Sequence, residues 1–213
     1  MSYTVIENFL PDAIQNMLEQ QFQYHTEWNY VSETSGNTKE ATDALDENVI
    51  ECPQLCHLSH WGGEDNLKSF GLTRMVLYFV ENLTVVMIKD VNKIKTNMNL
   101  LDTRFGPDKY HPPHADHRSP EYTSMVYYIN DSDGPTRFFD KTTLDKDPYK
   151  DLKCVGEVHP KKGRAVLFSS ALMHTGTCPQ NHENRLVINF VFKAPGLKLP
   201  FDPVDKVKVE NFA

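Results

Sequence analysis

A chain of 213 residues can bury a substantial core as one unit, and β-rich domains of this size often do not divide. Its 22 basic and 29 acidic residues leave a formal charge of −7, which opposes broad, sequence-independent binding to nucleic acid. The most apolar stretch, MVLYFVENLTVVMI, is interrupted by Glu81 and Asn82 and falls well short of the ~20 residues of a membrane span. MSYTVIENFLPDAIQ has neither a basic start nor a continuous apolar core, so it does not read as a secretory leader. Cys52, Cys56, Cys154 and Cys178 are too sparse for a disulfide scaffold and read as free thiols in a reducing cytoplasm.

In chain order, Tyr3 to Leu10 reads as a short strand. Pro11 and Asp12 then open a helix with an apolar stripe of Ile14, Met17, Leu18 and Phe22, proline being tolerated in a first turn. The segment VSETSGNTKEATDALDENV has almost no large apolar residue and is expected to form a mobile loop over about 31–50. Leu72, Val76, Phe79, Val80, Leu83, Met87, Val91 and Ile94 recur at helical spacing, which predicts one long helix packed on a sheet rather than on a membrane. Beyond residue 96 the texture changes to short runs with Gly, Pro, Asn and Asp between them. The expected strands are 97–105, 109–116, 122–130, 136–140, 154–159, 163–168, 171–176 and 185–193. Eight such strands suggest a mostly β protein with flanking helices, a jelly roll covered on one sheet by the N-terminal helices. The chain is read as a single domain over 1–213. Residues 1–96 give helical support and the loop, 97–194 the jelly-roll core, and 195–213 a C-terminal tail.

The chemistry concentrates in HPPHADH, residues 111–117. On an extended strand, His114 and Asp116 would project from one face, so imidazole and carboxylate could converge on one point. His174 follows in SSALMHTG, and Arg185 opens the apolar run RLVINFVF. Two His and one carboxylate on one face leave open positions on a metal, as in the facial triad that binds non-haem Fe(II). Alternation from Arg185 puts Val187 and Asn189 on its side, and Leu186, Ile188 and Phe190 on the other. A guanidinium inside a barrel demands an anion, and its planar fork suits a carboxylate. His111 and His117 would face away from His114 on a strand and are read as outer or surface residues. His159 and His182 are read as solvated. Cys52, Cys56 and His57 lack the second cysteine pair of a zinc site.

These motifs resemble the Fe(II)/2-oxoglutarate-dependent dioxygenases, and within them the prolyl 4-hydroxylase-like branch. The resemblance covers about residues 97–194, through RFGPDKYHPPHADH, YTSMVYYINDSDGPTRFF and VHPKKGRAVLFSSALMHTGTCPQNHENRLVINFVF, and extends weakly to YTVIENFLP. It implies that His114, Asp116 and His174 hold the iron and that Arg185 pairs with the distal carboxylate of 2-oxoglutarate. Tyr128 matches a family tyrosine that donates a hydroxyl to that carboxylate, and Thr136 matches a hydroxyl residue after a Gly-Gly pair, here Gly134-Pro135. Tyr110 resembles a residue near the substrate mouth, with a packed tyrosine as its alternative. Phe105 stands where many relatives have Tyr. Lys161, Lys162 and Arg164 are given no catalytic role.

The implied reaction is hydroxylation of an unactivated C–H bond, coupled to decarboxylation of 2-oxoglutarate to succinate. Dioxygen is the second co-substrate and ascorbate a candidate reductant. The retained Asp116 favours hydroxylation over halogenation, in which relatives replace the carboxylate to admit chloride. A prolyl residue of a peptide or protein is one substrate expectation, and a free amino acid or small metabolite is the other. No nucleic-acid or membrane partner is expected, and oligomeric state is unreadable. A zinc-dependent hydrolase built on the same His-Asp-His set and a non-catalytic jelly-roll binding module stay open at this point.

Overall fold

The computed structural model describes residues 3–34, 41, 43 and 48–200. Two antiparallel sheets face one another. The larger is built from β1 (Tyr3–Ile6), β2 (Asn29–Val31), β3 (Gln54–Trp61), β4 (Glu64–Asp65), β5 (Asp90–Leu100), β6 (Tyr122–Tyr128), β9 (Ala165–Ser169) and β11 (Asn184–Lys193). Its order is β1-β9-β6-β11-β5-β3-β2, with β4 hairpinned onto β3. The smaller sheet has the order β10-β7-β8, from β7 (Thr136–Thr142), β8 (Cys154–Val158) and β10 (Leu172–Thr175). Helices α1 (Asp12–Tyr24) and α2 (Phe70–Thr84) cover the outer face of the larger sheet.

The larger sheet is buried on both faces, and strand alternation sorts its side chains. Met125 and Tyr127 of β6, Ala165 and Leu167 of β9, and Leu186, Ile188 and Phe190 of β11 point to the helices, where they meet Leu18, Phe22, Val76, Leu77 and Val80. Their neighbours Val126, Tyr128, Val166, Phe168 and Val187 point inward and meet Phe138, Val158 and Leu172 from the smaller sheet. The split along β11 is the one predicted from Arg185.

Helix α1 begins after Pro11, as expected, but its buried face is different. Met17 is 54% exposed, while Gln15 is buried and donates from Nε2 to the Leu10 carbonyl at 2.7 Å. That amide seats the helix against the turn before β9. Gly163 there has φ +81°, a conformation that L side chains rarely adopt, and a Cβ would lie 2.4 Å from Gln15 Oε1, so a larger residue would be strained and would displace that amide.

Four expected elements are corrected. The first strand stops at Ile6, and Phe9 instead donates its N–H to the Gly163 carbonyl. The long helix ends at Thr84, followed by Val85 in the left-handed region. Val91 and Ile94 belong to β5, which starts at Asp90 rather than 97, because their spacing satisfied a helical period by coincidence. Residues 109–116 form no strand. Pro112 and Pro113 cannot donate to a ladder, and only isolated bridges at Tyr110 and His114 remain. Strand β3 was not anticipated at all. The loop expected over 31–50 lies mostly outside the described residues. Among the described residues, no helix is long and apolar enough to cross a membrane.

Candidate metal centre

His174 sits on β10, and the irregular HPPHADH segment adds one antiparallel bridge to that strand. His114 donates its N–H to the His174 carbonyl at 2.9 Å, and His174 returns the bond at 2.8 Å. This double bond fixes the two imidazoles side by side, their ring centroids 4.7 Å apart. Asp116 closes the set, with Oδ2 3.5 Å from His174 Nε2. One ligating atom from each of the three residues lies within 4.8 Å of the others. Convergence therefore arises from a two-residue bridge to β10, not from the alternation of a regular strand.

Each group is oriented from behind. His174 Nδ1 donates to the Leu172 carbonyl at 2.9 Å, which leaves Nε2 as the free lone pair, and Phe168 packs edge-on against the ring. Asp116 accepts from Lys93 Nζ (2.8 Å) and Asn189 Nδ2 (2.8 Å) at Oδ1, and from the Ser124 hydroxyl (2.7 Å) at Oδ2. Burial pushes His114 down to about 3, reinforced by His174, and burial also lowers His174. Burial opposes ionisation of Asp116, yet the Lys93 ammonium and the two imidazoles hold its carboxyl well below the usual range. Two neutral imidazoles and one carboxylate are the protonation states that a divalent cation requires.

Arg185 opens β11 and is 4% exposed. Nε donates to the Gly134 carbonyl and Nη2 to the Thr136 hydroxyl, both at 2.7 Å. Among the described residues, no carboxylate lies within ion-pair distance of it. A cation so buried without an anion is several kcal/mol unfavourable, a cost about the size of many folding stabilities, unless a ligand supplies the charge. Gly134 and Gly176 make room for it. A Cβ on Gly134 would lie 3.1 Å from Arg185 Cδ and 2.5 Å from the Thr177 carbonyl oxygen.

His114, Asp116 and Arg185 line one cavity of about 360 Å³, together with His111, Thr175 and Gly176. One wall is the inner face of β5, where Lys93, Lys95, Asn97 and Asn99 alternate with the outward Ile94, Thr96 and Met98. Sequence reasoning gave these four no role: Lys93 fell in the expected helix, and Asn97 and Asn99, although in the expected strand 97–105, carried no signal of a site.

The other expected site residues fall as follows. Tyr128 and Thr136 lie behind Arg185 rather than on the cavity wall. The Tyr128 hydroxyl donates to Thr136 Oγ1 at 2.7 Å, so together they buttress the guanidinium. Tyr110 is not on the cavity wall. It packs on Phe139 and Arg137 in a side cluster, which is the packed alternative stated for it above. His111 does not turn away from the cavity as a strand would require, because the prolines break that geometry. His159 is solvated, as expected.

Residues 98–193 match the family model of the 2OG-Fe(II) oxygenase superfamily. No curated protein matches the chain in sequence. Among solved structures, the epimerase SnoN from nogalamycin biosynthesis, in complex with Fe3+, alpha ketoglutarate and nogalamycin RO, is similar at TM-score 0.57 and 13% identity, covering 95% of this chain and 88% of that one. A Pseudomonas putida prolyl-4-hydroxylase is similar at TM-score 0.51 and 16% identity, covering 90% and 92%. HygX from Streptomyces hygroscopicus, with nickel and 2-oxoglutarate bound, is similar at 0.51 and 11%, covering 93% and 85%. At these identities the likeness is one of fold, a jelly roll, and the match to the 2OG-Fe(II) oxygenase superfamily is carried by residues 98–193, the stretch that holds His114, Asp116, His174 and Arg185.

Proposed function

We propose that the chain is an Fe(II)- and 2-oxoglutarate-dependent hydroxylase, with His114, Asp116 and His174 as the metal ligands and Arg185 as the anchor of the co-substrate. The observation that carries this reading is a buried, anion-free guanidinium opening onto the same cavity as His114 and Asp116 of the His-Asp-His set. Iron and 2-oxoglutarate, when bound, supply the oxidation: dioxygen gives one atom to succinate as carbon dioxide leaves, and the other to a substrate C–H bond.

The protein's part is holding and excluding. Lys93 and Asn189 occupy Asp116 Oδ1, while Oδ2, which accepts one bond from Ser124, faces the imidazoles as the ligating oxygen. Thr136 and Gly134 aim the guanidinium fork, and its charge is met when a carboxylate enters. Zinc-dependent hydrolysis would leave Arg185 without an anion, so it fits the site less well. Free thiols and a ferrous centre suit a reducing cytoplasm.

A prolyl substrate is supported by the fold shared with the Pseudomonas putida enzyme. A second reading of the substrate has its own observation. The wall that β5 and β11 give the cavity is polar, with Lys95 unpaired among the described residues and the Asn97 and Asn189 Oδ1 atoms buried without donors. Such a wall favours a small, acidic substrate that carries hydrogen-bond donors over an apolar ring.

The test is Fe(II)-dependent conversion of 2-oxoglutarate to succinate in the presence of peptide and acidic small-molecule libraries. Products are read by the mass gain of one oxygen. Turnover that disappears in Asp116→Ala supports the proposal. Turnover unaffected by that substitution refutes it.

A further inference from the structure

Three residues far apart in sequence meet beside the cavity without any part in the proposed chemistry. Cys52 precedes β3, His111 opens the HPPHADH segment, and Cys178 follows β10. All three are buried. The two Sγ atoms are 3.2 Å apart, and His111 Nε2 lies 3.4 Å from Cys178 Sγ and 4.0 Å from Cys52 Sγ.

The imidazole is oriented as a ligand would be. Its Nδ1 donates to the Ile50 carbonyl at 3.2 Å, which fixes the tautomer and leaves the Nε2 lone pair free beside Cys178 Sγ, while Cys52 Sγ lies 4.0 Å from both ring nitrogens. Its backbone is clamped as well. The His111 N–H donates to the Gly176 carbonyl at 3.1 Å, and the Thr175 hydroxyl donates to the His111 carbonyl at 2.7 Å. Phe105 closes the other side of the ring at a centroid distance of 4.6 Å.

We propose that Cys52, His111 and Cys178 form a second metal site, for a thiophilic divalent cation of the zinc type. A tetrahedral ion with bonds of about 2.3 Å to sulfur and about 2.0 Å to nitrogen separates two thiolates by roughly 3.8 Å, and thiolate from imidazole by roughly 3.6 Å. The two sulfur–nitrogen separations, 3.4 and 4.0 Å, bracket that value, and the sulfurs, 3.2 Å apart, need to part by about 0.6 Å to admit the ion. Charge agrees too. Two thiolates neutralise a divalent ion, so the buried site carries no net charge. The fourth position is left to water, reached from the cavity that His111 lines. The ion ties together the segment entering β3, the segment carrying His114 and Asp116, and the loop leading to Arg185. It is therefore a clamp on the oxygenase cavity rather than part of its chemistry.

Cobalt(II) distinguishes the two sites, because only thiolate ligation gives an intense sulfur-to-cobalt band in the near ultraviolet. The full chain, stripped with a chelator and kept reduced under anaerobic conditions, is titrated with Co(II). The wild-type protein is expected to show the band and to bind two equivalents. Cys178→Ser and Cys52→Ser are each expected to lose the band and one equivalent, while Asp116→Ala keeps the band and loses the other equivalent. A band with a single equivalent that survives in Asp116→Ala supports the clamp and counts against the iron site alone. Wild-type protein that binds Co(II) without the band overturns the proposal whatever the variants do. An intact mass lower by two hydrogens in anaerobically purified protein, from a Cys52–Cys178 disulfide, overturns it as well.

Discussion

Replacing Arg185 with Met separates folding from co-substrate binding. The substitution removes a guanidinium that is 4% exposed and has no carboxylate within ion-pair distance among the described residues. Two donated hydrogen bonds, to Gly134 O and Thr136 Oγ1, are lost with it. Removing an unpaired buried ion is stabilising by about 1–4 kcal/mol, while each orphaned acceptor costs about 1–3 kcal/mol. Thr136 Oγ1 keeps its bond from Tyr128, so only the Gly134 carbonyl is fully deprived. The two effects nearly cancel, and the variant's stability stays within about 2 kcal/mol of wild type. Binding does not cancel. Two charge-assisted bonds to a carboxylate are worth about 3–6 kcal/mol, so 2-oxoglutarate affinity falls at least about a hundredfold. Urea unfolding of the apo-protein and calorimetric titration with 2-oxoglutarate, under anaerobic conditions with metal present, measure the two quantities. A folded Arg185→Met protein that binds 2-oxoglutarate within threefold of wild type refutes the reasoning.

Gly134→Ala tests the same pocket without touching the charge. Its Cβ would meet Thr177 O at 2.5 Å and Arg185 Cδ at 3.1 Å, so overpacking of about 1–3 kcal/mol and weaker 2-oxoglutarate binding are expected by melting and titration. Phe168→Ala should destabilise the protein by about 3–5 kcal/mol in urea unfolding. It should also loosen metal binding, because the ring supports His174 at a centroid distance of 4.6 Å. For pH, the folded-state values of His114 (about 3) and His174 lie below the ordinary 6.5, so the unfolded chain binds more protons in between. Metal-free stability is therefore full above pH 6.5 and falls toward pH 3, by up to about 1.4 kcal/mol per pH unit for each imidazole. The lowered Asp116 acts in the same direction below the ordinary carboxylate range. A flat stability between pH 6.5 and 5 contradicts this.

The parts of the molecule legible in sequence were those whose signal is local. The alternation of RLVINFVF fixed which side of β11 carries Arg185 and Asn189, and Gly and Pro marked most strand ends between 122 and 193. Two residue runs misled because one pattern fits two geometries. Val91 and Ile94 fit a helical stripe and also a strand edge, and only the sheet decides between them. HPPHADH reads as extended, yet its prolines leave one bridge, at His114, and that bridge does the positioning. Contacts that depend on the closed fold left no trace at all. Lys93, Ser124 and Asn189 reach Asp116 from three strands, and Cys52 meets Cys178 across 126 residues.

The most direct test of the iron site and its co-substrate anchor is anaerobic visible absorption as Fe(II) and then 2-oxoglutarate are added to the apo-protein. A weak metal-to-ligand charge-transfer band is expected in the wild type, absent in Asp116→Ala and recovered only at much higher 2-oxoglutarate in Arg185→Met. A folded wild-type protein that binds Fe(II) and 2-oxoglutarate together without developing the band would contradict the assignment.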